Sequence, residues 1–568
     1  MASRRGSTVT RACDSCRMRK VKCDASEDCS NCRLSGLPCQ YTSARRKRGP
    51  KVTRAPRAIE KARQATPNAY TPALEDRLPS NEGPMFPPTP SIWADSQGQQ
   101  GHEDLTPSFS GTEIVPTTES AGAIRDSLVQ SMNCSIPSIP ALNVINLCIE
   151  LYMKYTFPTA PCVHEPTLQA SANKFFAEDS SAQLFGTGSW GDKVVDMRAF
   201  TLLTAVCASV ASVLPKSLLP YQEAVAEPCL KASRNMLKVF EDFDIEHPCA
   251  TSIISRSLHS TALQQITGKS ALAYHILGQA TLLLQTMRLY REDALSSHNA
   301  LQAQLLRNAF WQLFAADKAS ACLGSRPFVL HEMLFGEELT LRLSGETMVP
   351  LMSTSSPWFE ETLEGKILLG FHFIPRLWST AASLLSDIKA YGGVDEGAEM
   401  KTRLIQDYVV FSGILDELPQ WLQTSSLIVC SEDGRATQCQ RTMFWVQRCT
   451  IMVTYQCLRL VILQQCINSK AWDIIGLNGL ALTIAMAKIG IIYDFIQTLE
   501  DIPFVYLQVK GEPTVQRIRV VGSVLLEMTF NPENETIQER AKNYFVKLLD
   551  ILGRLDSKAS DEMSSWQP

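Results

Sequence analysis

The sequence predicts a mostly α-helical protein with a small cysteine-rich domain at the N-terminus, a disordered linker and a large all-α domain behind it. Three observations support this fold class. Six cysteines fall between residues 13 and 39, residues 66–120 are rich in Pro, Ser, Thr, Gly and Gln, and from about residue 121 apolar side chains recur at helical spacing. Alternating apolar and polar runs bounded by turn residues, which would indicate a β-sandwich, are largely absent.

The N-terminal cysteines follow the spacing C-x2-C-x6-C-x5-C-x2-C-x6-C, which consists of two near-identical halves of three thiols each. They are Cys13, Cys16, Cys23, Cys29, Cys32 and Cys39. A zinc ion takes four ligands in a tetrahedron, at about 2.3 Å from sulfur, so six thiolates satisfy two ions only if two sulfurs are shared. The spacing therefore favours a binuclear cluster with two Zn²⁺ ions over a disulfide framework or a redox C-x-x-C pair.

The residues around these cysteines carry a resemblance to a known family. They read ACDSCRMRKVKCD at 12–24, CSNC at 29–32 and PCQY at 38–41, which resembles the fungal Zn(II)2Cys6 binuclear cluster transcription factors. The resemblance implies that all six cysteines are zinc ligands and that Cys13 and Cys29 bridge the two ions. The family usually has a proline shortly before the fourth cysteine, whereas this chain has Asp-Ala-Ser-Glu-Asp at 24–28, so the conformation of that loop is left open.

Four basic residues lie between the second and third cysteines, on what we expect to be a short helix: Arg17, Arg19, Lys20 and Lys22. Such a helix can place Arg and Lys donors against the N7 and O6 acceptors of guanine in the major groove. The resemblance implies that Arg19 and Lys20 read bases in CGG-type triplets, and Arg17 and Lys22 would then contact phosphates. The alternative is that these charges only offset the cluster, whose thiolates and zinc ions sum to about −2.

The charge is distributed unevenly along the chain. Residues 1–65 contain 17 Lys and Arg against 5 Asp and Glu, whereas the remainder contains 37 against 53. This asymmetry is typical of a nucleic-acid-binding end on an acidic body. A basic run directly behind the cysteines is expected to follow the DNA backbone and to act as a nuclear localisation signal, although such runs are also common as solvated tails. Its residues are Arg45, Arg46, Lys47 and Arg48.

The predicted domain organisation has six parts. They are a disordered basic start at 1–12, the zinc-cluster DNA-binding domain at 13–41, a basic linker with the nuclear localisation signal at 42–65, a disordered linker at 66–120, an α-helical regulatory domain at 121–555 and a flexible tail at 556–568. Residues 59–65 are too short and lack the sustained heptads of a coiled coil. Monomeric binding and a homodimer formed through the helical body therefore both stay open.

The helical body is predicted to contain twelve helices, at 141–156, 194–214, 221–241, 255–267, 271–290, 301–323, 362–390, 401–421, 440–468, 476–500, 513–530 and 534–555. Three passages, at 147–166, 273–292 and 307–327, resemble the middle homology region of the same family. The resemblance implies a regulatory domain that restrains activation and in some members senses a metabolite. Asp317 and Arg326 are expected to pair across a turn. The sequence does not locate an effector pocket.

Other classes of protein are disfavoured. The twelve cysteines outside the cluster are scattered, which fits reduced thiols, and no uninterrupted apolar run is expected to be long enough for a membrane span. His164-Glu165 and His331-Glu332 lack the second histidine of a zinc protease motif, and the G-x-S-x-G, phosphate-loop and Rossmann patterns are missing. We therefore assign no catalytic residues. A structural scaffold that uses zinc only for folding would not explain the excess of basic residues within residues 1–65.

The sequence thus predicts a nuclear, sequence-specific RNA polymerase II transcription factor that binds double-stranded DNA through its zinc cluster. We expect a pathway-specific activator of a secondary-metabolite gene cluster. The alternatives are a regulator of sugar or other carbon-source genes, a repressor, and, more remotely, an enzyme with a zinc module. Expected partners are the transcription machinery or co-regulators, a small-molecule effector and a second copy of the chain, but no membrane.

Overall fold

The computed structural model describes residues 12–18, 23–26, 28–34, 38–40, 118–177, 185, 189–324, 326–330, 339–345, 349–356, 358–391, 398–427, 435–530 and 534–555. The chain divides into two units, residues 1–109 and 110–568, and each is described by itself. The predicted basic start, the basic linker, the disordered linker as far as residue 117 and the C-terminal tail lie outside the described residues.

The first unit contains two short helices, α1 (Asp14–Met18) and α2 (Ser30–Leu34). Each begins directly after the first cysteine of a Cys-x2-Cys pair, Cys13 for α1 and Cys29 for α2. The tight turn that starts each helix therefore brings two thiols to the same side of the chain, as the spacing predicts.

The second unit is a body of packed helices, numbered in chain order through the described residues. They are α3 Thr118–Ser135, α4 Ala141–Tyr155, α5 Glu165–Phe176, α6 Trp190–Val213, α7 Gln222–Val239, α8 Glu241–Glu246, α9 Ala250–Thr267, α10 Ser270–Thr286, α11 Ala300–Gly324, α12 Leu363–Ala390, α13 Ala398–Ser412, α14 Thr424–Leu427, α15 Arg435–Asn468, α16 Ala481–Asp501, α17 Phe504–Gln508, α18 Glu512–Phe530 and α19 Glu535–Arg554. Throughout the parts of the chain that the structure describes, no β-strand occurs. The predicted fold class is confirmed.

Helix α6 lies at the centre of the N-terminal half of the body. It contacts α4, α5, α7 and α9, and every residue from 203 to 211 is buried. A helix that is apolar on all sides has to be surrounded by other helices, which explains its central position. Its start is fixed by a capping box, in which Ser189 accepts a hydrogen bond from the Asp192 backbone N–H and the Asp192 carboxylate accepts one from the Ser189 backbone.

Helix α15 has the same role in the C-terminal half. It contains 34 residues and is therefore about 51 Å long, and it packs against α12, α16 and α18. Helix α16 continues the layer and also contacts α19. The apolar residues of both halves belong to one continuous hydrophobic core.

A buried ion-pair network fixes α8 between α6 and α9. The Asp244 carboxylate accepts hydrogen bonds from Arg198 Nε at 2.9 Å, from Arg256 Nη1 at 2.6 Å and from Ser252 Oγ at 2.7 Å. Asp244 and Arg256 are both almost completely buried, and Arg256 also donates to the Ser252 backbone carbonyl. Charges are tolerated in a protein interior when they are paired and hydrogen-bonded in this way.

Five helices of the body were not predicted, and several predicted ones have different limits. The missed helices are α3 and α5 and the short helices α8, α14 and α17. The helix predicted at 401–421 ends at Ser412, where Gly413 follows, and the helix predicted at 476–500 begins only at Ala481. The second difference arises because Gly476 and Gly479 have φ angles of +76° and +73°, a left-handed conformation that interrupts a helix.

The expected pairing of Asp317 with Arg326 is wrong. The Asp317 carboxylate instead accepts hydrogen bonds from the backbone N–H groups of Val329 and Leu330 at the end of the turn. The Arg326 guanidinium lies over the ring of Tyr274, with its central carbon 4.0 Å from the ring centroid. The carboxylate therefore closes the turn through backbone contacts, while the cation binds an aromatic face.

The sequence is expected to lack an uninterrupted apolar run of membrane-spanning length; three helices are nevertheless long and apolar enough to cross a membrane, judged by length and composition only. They are residues Trp190–Val213, Thr437–Asn468 and Ala481–Asp501, and 72%, 61% and 33% of their most apolar windows are buried inside the body. The first two are mostly covered by neighbouring helices, which accounts for their composition. The third, α16, is covered much less.

Candidate metal centre and nucleic-acid interface

The two Cys-x2-Cys turns have the same local geometry. The backbone N–H of Cys16 points to the Cys13 sulfur at an N–S distance of 3.4 Å, and the backbone N–H of Cys32 points to the Cys29 sulfur at the same distance. In each turn the third residue after the first cysteine thus donates back to that cysteine. The sequence repeat is reproduced as a structural repeat, with Cys13 and Cys29 in equivalent positions.

The sulfurs of the two turns lie close together. Cys13 Sγ is 3.7 Å from Cys29 Sγ and 3.5 Å from Cys32 Sγ, and Cys16 Sγ is 3.5 Å from Cys29 Sγ. A tetrahedral Zn–S₄ site with bonds of about 2.3 Å has sulfur–sulfur edges of about 3.8 Å. These separations and the all-thiol donor set therefore fit zinc.

The remaining two cysteines extend this group in different directions. Cys39 interacts through its side chain with the sulfurs of Cys13, Cys29 and Cys32. Cys23 lies in a second group of ligand atoms, together with Cys29 and the Asp24 carboxylate. Six sulfurs are thus brought together as two overlapping sets, and Cys29 is common to both.

The backbone contacts also change the acidity of the two equivalent cysteines. The N–H of Cys16 lowers the pKa of Cys13 to about 6, and the N–H of Cys32 likewise lowers the pKa of Cys29. Burial has the opposite effect on the second cysteine of each pair: it raises the pKa of Cys16, and it raises that of Cys32 to about 12. The thiolate is the form that binds a metal, so the two turns favour it at Cys13 and Cys29.

The loop without the usual proline is held by Asp24. Its carboxylate accepts hydrogen bonds from the hydroxyl groups of Ser26 and Ser30 and from the backbone N–H of Ser30 at 3.0 Å. The contacts to Ser30 are the main reason that the pKa of Asp24 lies well below its usual range. Ala25 has a φ of +61°, a left-handed conformation that is strained for a residue with a side chain. Sequence reasoning did not identify Asp24 as the residue that replaces proline.

The end of the module is tied back to its first helix. The backbone N–H of Asp14 donates to the Gln40 carbonyl at 2.8 Å, and Ser15 Oγ donates to the Pro38 carbonyl at 2.7 Å. Among the described residues of the module, five of the six cysteines are buried, and Ala12 and Cys39 pack against them as partly buried apolar residues. The described part of the module therefore has a core made of sulfur atoms, and metal binding has to supply most of its folding energy.

Of the eight residues predicted to contact DNA, one lies among the residues that the structure describes. Arg17 lies within α1, but its side chain is outside the described residues. The other seven predicted contacts also lie outside them: Arg19, Lys20, Lys22, Arg45, Arg46, Lys47 and Arg48. Helix α1 begins directly after Cys13 and contains Cys16, which is consistent with a short helix presented by the metal centre.

Residues 11–48 match the family model of the fungal Zn(2)-Cys(6) binuclear cluster domain. The module is therefore a domain of this family, which binds two zinc ions, and a larger helical region follows it. The chain therefore contains a fungal zinc-cluster domain, and the curated relatives that it matches are named as transcription factors or regulatory proteins.

Three curated relatives illustrate the similarity. The chain is 44% identical over 73 residues to the maltose fermentation regulatory protein MAL13 of Saccharomyces cerevisiae, which is 12% of this chain and 15% of that protein. It is 21% identical over 349 residues to the aurofusarin cluster transcription factor aurR2 of Gibberella zeae, 60% of this chain and 49% of the relative. It is 20% identical over 482 residues to a transcriptional regulatory protein of Schizosaccharomyces pombe, 73% of this chain and 57% of the relative. The chain thus spans less than two thirds of each.

Proposed function

We propose that the protein is a nuclear, sequence-specific transcription factor whose zinc cluster binds CGG-type triplets in double-stranded DNA. The observation that carries this proposal is the gathering of six thiols beside short helix α1: four come from the two equivalent turns, and the others are Cys23 and Cys39. A helix that starts at a metal ligand is held rigidly, and it can therefore enter the major groove without its own hydrophobic core.

In this proposal all six cysteines ligate two zinc ions, and Cys13 and Cys29 bridge them. The equivalent positions of these two cysteines support the assignment, because each is the sulfur that receives the backbone N–H of its turn. One ion would then bind Cys16 and Cys23 together with the two bridging sulfurs. The other would bind Cys32 and Cys39 together with the same pair, which fits the contacts of Cys39.

The basic residues divide into two roles. Arg19 and Lys20 would donate to guanine N7 and O6 in the major groove, and Arg17 and Lys22 would bind phosphates. Arg45, Arg46, Lys47 and Arg48 would follow the backbone and serve as the nuclear localisation signal. Loss of a base contact changes sequence preference, whereas loss of a phosphate contact weakens all sequences alike.

We further propose that the regulator acts on the genes of one pathway, as an activator of a secondary-metabolite cluster. The support is the length of the match to aurR2, which is 349 residues and thus includes much of the helical body. A match of 73 residues to MAL13, which is 12% of this chain, supports the alternative, a regulator of sugar-utilisation genes. A repressor is the second alternative.

A DNA-binding assay tests the molecular part of the proposal. The zinc-loaded full chain is titrated with duplexes that contain CGG triplets or scrambled triplets. Lys20→Ala should weaken binding to the triplet by about 1–3 kcal/mol and relax the preference, whereas Lys47→Ala should weaken both duplexes equally. Cys23→Ala should abolish binding, and Cys134→Ala, at an exposed cysteine of the body, is the matched control. If Lys20→Ala and Lys47→Ala weaken binding to both duplexes equally, the assignment of Lys20 to base recognition is wrong.

Genome-wide occupancy in the native host tests the pathway. The tagged protein should concentrate at CGG-type triplets near one biosynthetic gene cluster, and Cys23→Ala should remove those peaks. Occupancy at carbon-source genes would favour the alternative regulator. Peaks that survive in Cys23→Ala would contradict the zinc cluster as the element that selects the sites.

A further inference from the structure

Helix α16 is apolar but poorly covered. Only 33% of its most apolar window is buried, although its mean hydropathy is 1.4. Leu482 and Met486, one turn apart, are 53% and 63% exposed. Single exposed apolar residues are ordinary on protein surfaces, but neighbouring ones on one helix face mark a place where another molecule binds.

A cavity of about 480 Å³ opens between this helix and the last two helices of the body. Helix α16 forms one wall, the end of α18 forms another, and the start of α19 closes the site. Five of its apolar residues are Leu482, Ile484, Ala485, Met528 and Ile537. Ligand sites in proteins have volumes of roughly 300–1,000 Å³ and walls of this composition, so a small organic molecule fits the space.

Lys488 gives this apolar cavity a charge. It lines the cavity, and only 8% of the residue is exposed. Within the part of the chain that the structure describes, its ammonium group has neither a hydrogen-bond partner nor an ion-pair partner. Lysine is rarely buried without a counter-charge, because desolvation of the ammonium group is unfavourable. An anion bound in the cavity would supply the missing partner.

The other charged residue of the cavity does not take this role. Glu527 also lines the cavity, but it is exposed to solvent and forms no ion pair with Lys488. Water therefore solvates the Glu527 carboxylate, whereas Lys488 is a largely buried residue of the cavity lining. The remaining polar group, Asn534, uses its side-chain oxygen to cap α19 through the Ile537 N–H at 3.1 Å.

We propose that this cavity binds a small molecule with an apolar body and one carboxylate, which accepts hydrogen bonds from Lys488. The apolar body lies along Leu482, Ala485 and Met528, and the carboxylate ends at the ammonium group. This is a binding site in the helical body, remote in sequence from the zinc module, and it stands independently of the DNA-binding function proposed above.

Octanoate and 1-octanol are suitable probes, because they have the same chain length and differ in charge. Binding to the zinc-loaded full chain is measured by isothermal titration calorimetry. Octanoate should bind at one site and about 10- to 100-fold more tightly than octanol, which is the range of one charge-assisted hydrogen bond. Lys488→Gln should bring octanoate to the affinity of octanol. Lys547→Gln removes a surface lysine that is paired with Glu500 and is the matched control.

Two further variants locate the site. Lys488→Arg keeps the charge and should keep the preference for octanoate. It tests the role of the charge even if Lys488→Gln fails to fold. Ala485→Trp should fill the cavity and abolish binding of both probes. The proposal would be overturned by equal affinities for the two probes, by binding that survives Ala485→Trp, or by no octanoate binding at millimolar concentration.

Discussion

Replacing Asp244 with Asn tests how strongly the helical body depends on its buried ion-pair network. The substitution keeps the shape of the side chain and removes its charge. Arg256 then remains buried without a counter-charge, while Arg198, whose side chain is 16% exposed, keeps access to water and to the His247 carbonyl. The loss of stability therefore arises mainly from the buried, unpaired charge of Arg256.

The magnitude follows from the contacts. Asp244 accepts three hydrogen bonds, two of them from guanidinium groups. Hydrogen bonds to charged groups contribute about 1.5–3 kcal/mol each when counted singly, but bonds to one carboxylate are not additive. Removing one partner of a buried ion pair costs about 3–5 kcal/mol. We expect Asp244→Asn to lower the free energy of unfolding by that amount, a large share of the about 5–15 kcal/mol typical of a folded protein.

Urea denaturation of the zinc-loaded full chain, followed by far-ultraviolet circular dichroism, measures this loss. Glu223→Gln, which removes a carboxylate that is 80% exposed and paired with Lys216, is the control and should leave the midpoint unchanged. Asp244→Leu combined with Arg256→Met should recover most of the stability, because a well-packed apolar pair often replaces a buried ion pair without loss. A loss below about 1 kcal/mol for Asp244→Asn, the size of an ordinary substitution, would refute the reasoning.

Three other predictions concern pH, packing and the metal module. Burial lowers the pKa of His259 from 6.5 to about 3, so the unfolded chain binds a proton that the folded chain does not. The contribution of His259 to the free energy of unfolding is therefore complete above pH 6.5 and falls by about 1.4 kcal/mol per pH unit from 6.5 towards 3. In thermal melts, the melting temperature of His259→Gln should depend less steeply on pH in this range. An unchanged pH dependence would contradict the prediction. A Cβ at Gly370 would lie 2.3 Å from Oε1 of buried Gln447, whose amide bonds two backbone carbonyls. Gly370→Ala should therefore cost about 1–3 kcal/mol in urea unfolding, whereas Gly365→Ala, in open space, should stabilise by about 0.5–1 kcal/mol; equal effects would count against the clash. Ala25→Gly relieves a left-handed residue and should slow zinc loss to a chelator, and faster loss would show that the loop is not strained.

The helices that the sequence predicts well are those with a strong apolar pattern. Helix α6 is an example, because its buried run from 203 to 211 is read directly from composition. Helix α3 was missed because only Ala121, Leu128 and Met132 of its apolar residues are buried, which leaves a weak periodic signal. Helix α5 is short, yet Pro166 in its first turn is a start signal that could have identified it.

The candidate site likewise has features that the sequence predicts and features that it does not. Cysteine spacing predicts the metal centre because ligand geometry is a local property of each Cys-x2-Cys turn. The hydrogen bonds of Asp24 were not predictable in this way, because a carboxylate and a proline have no similarity in sequence and share only the ability to fix a turn. The ligand cavity is harder still, since Lys488 and Met528 lie on different helices and meet only after folding.

The sulfur core of the zinc module has a consequence for how such chains diversify. Among the described residues of the module, the buried ones are its own cysteines. A gene fusion that exchanges residues 11–48 for those of another zinc-cluster protein would therefore carry all six cysteines of this core with it. The module can therefore be inherited as one unit, because the side chains that form its core all lie within a segment of 38 residues.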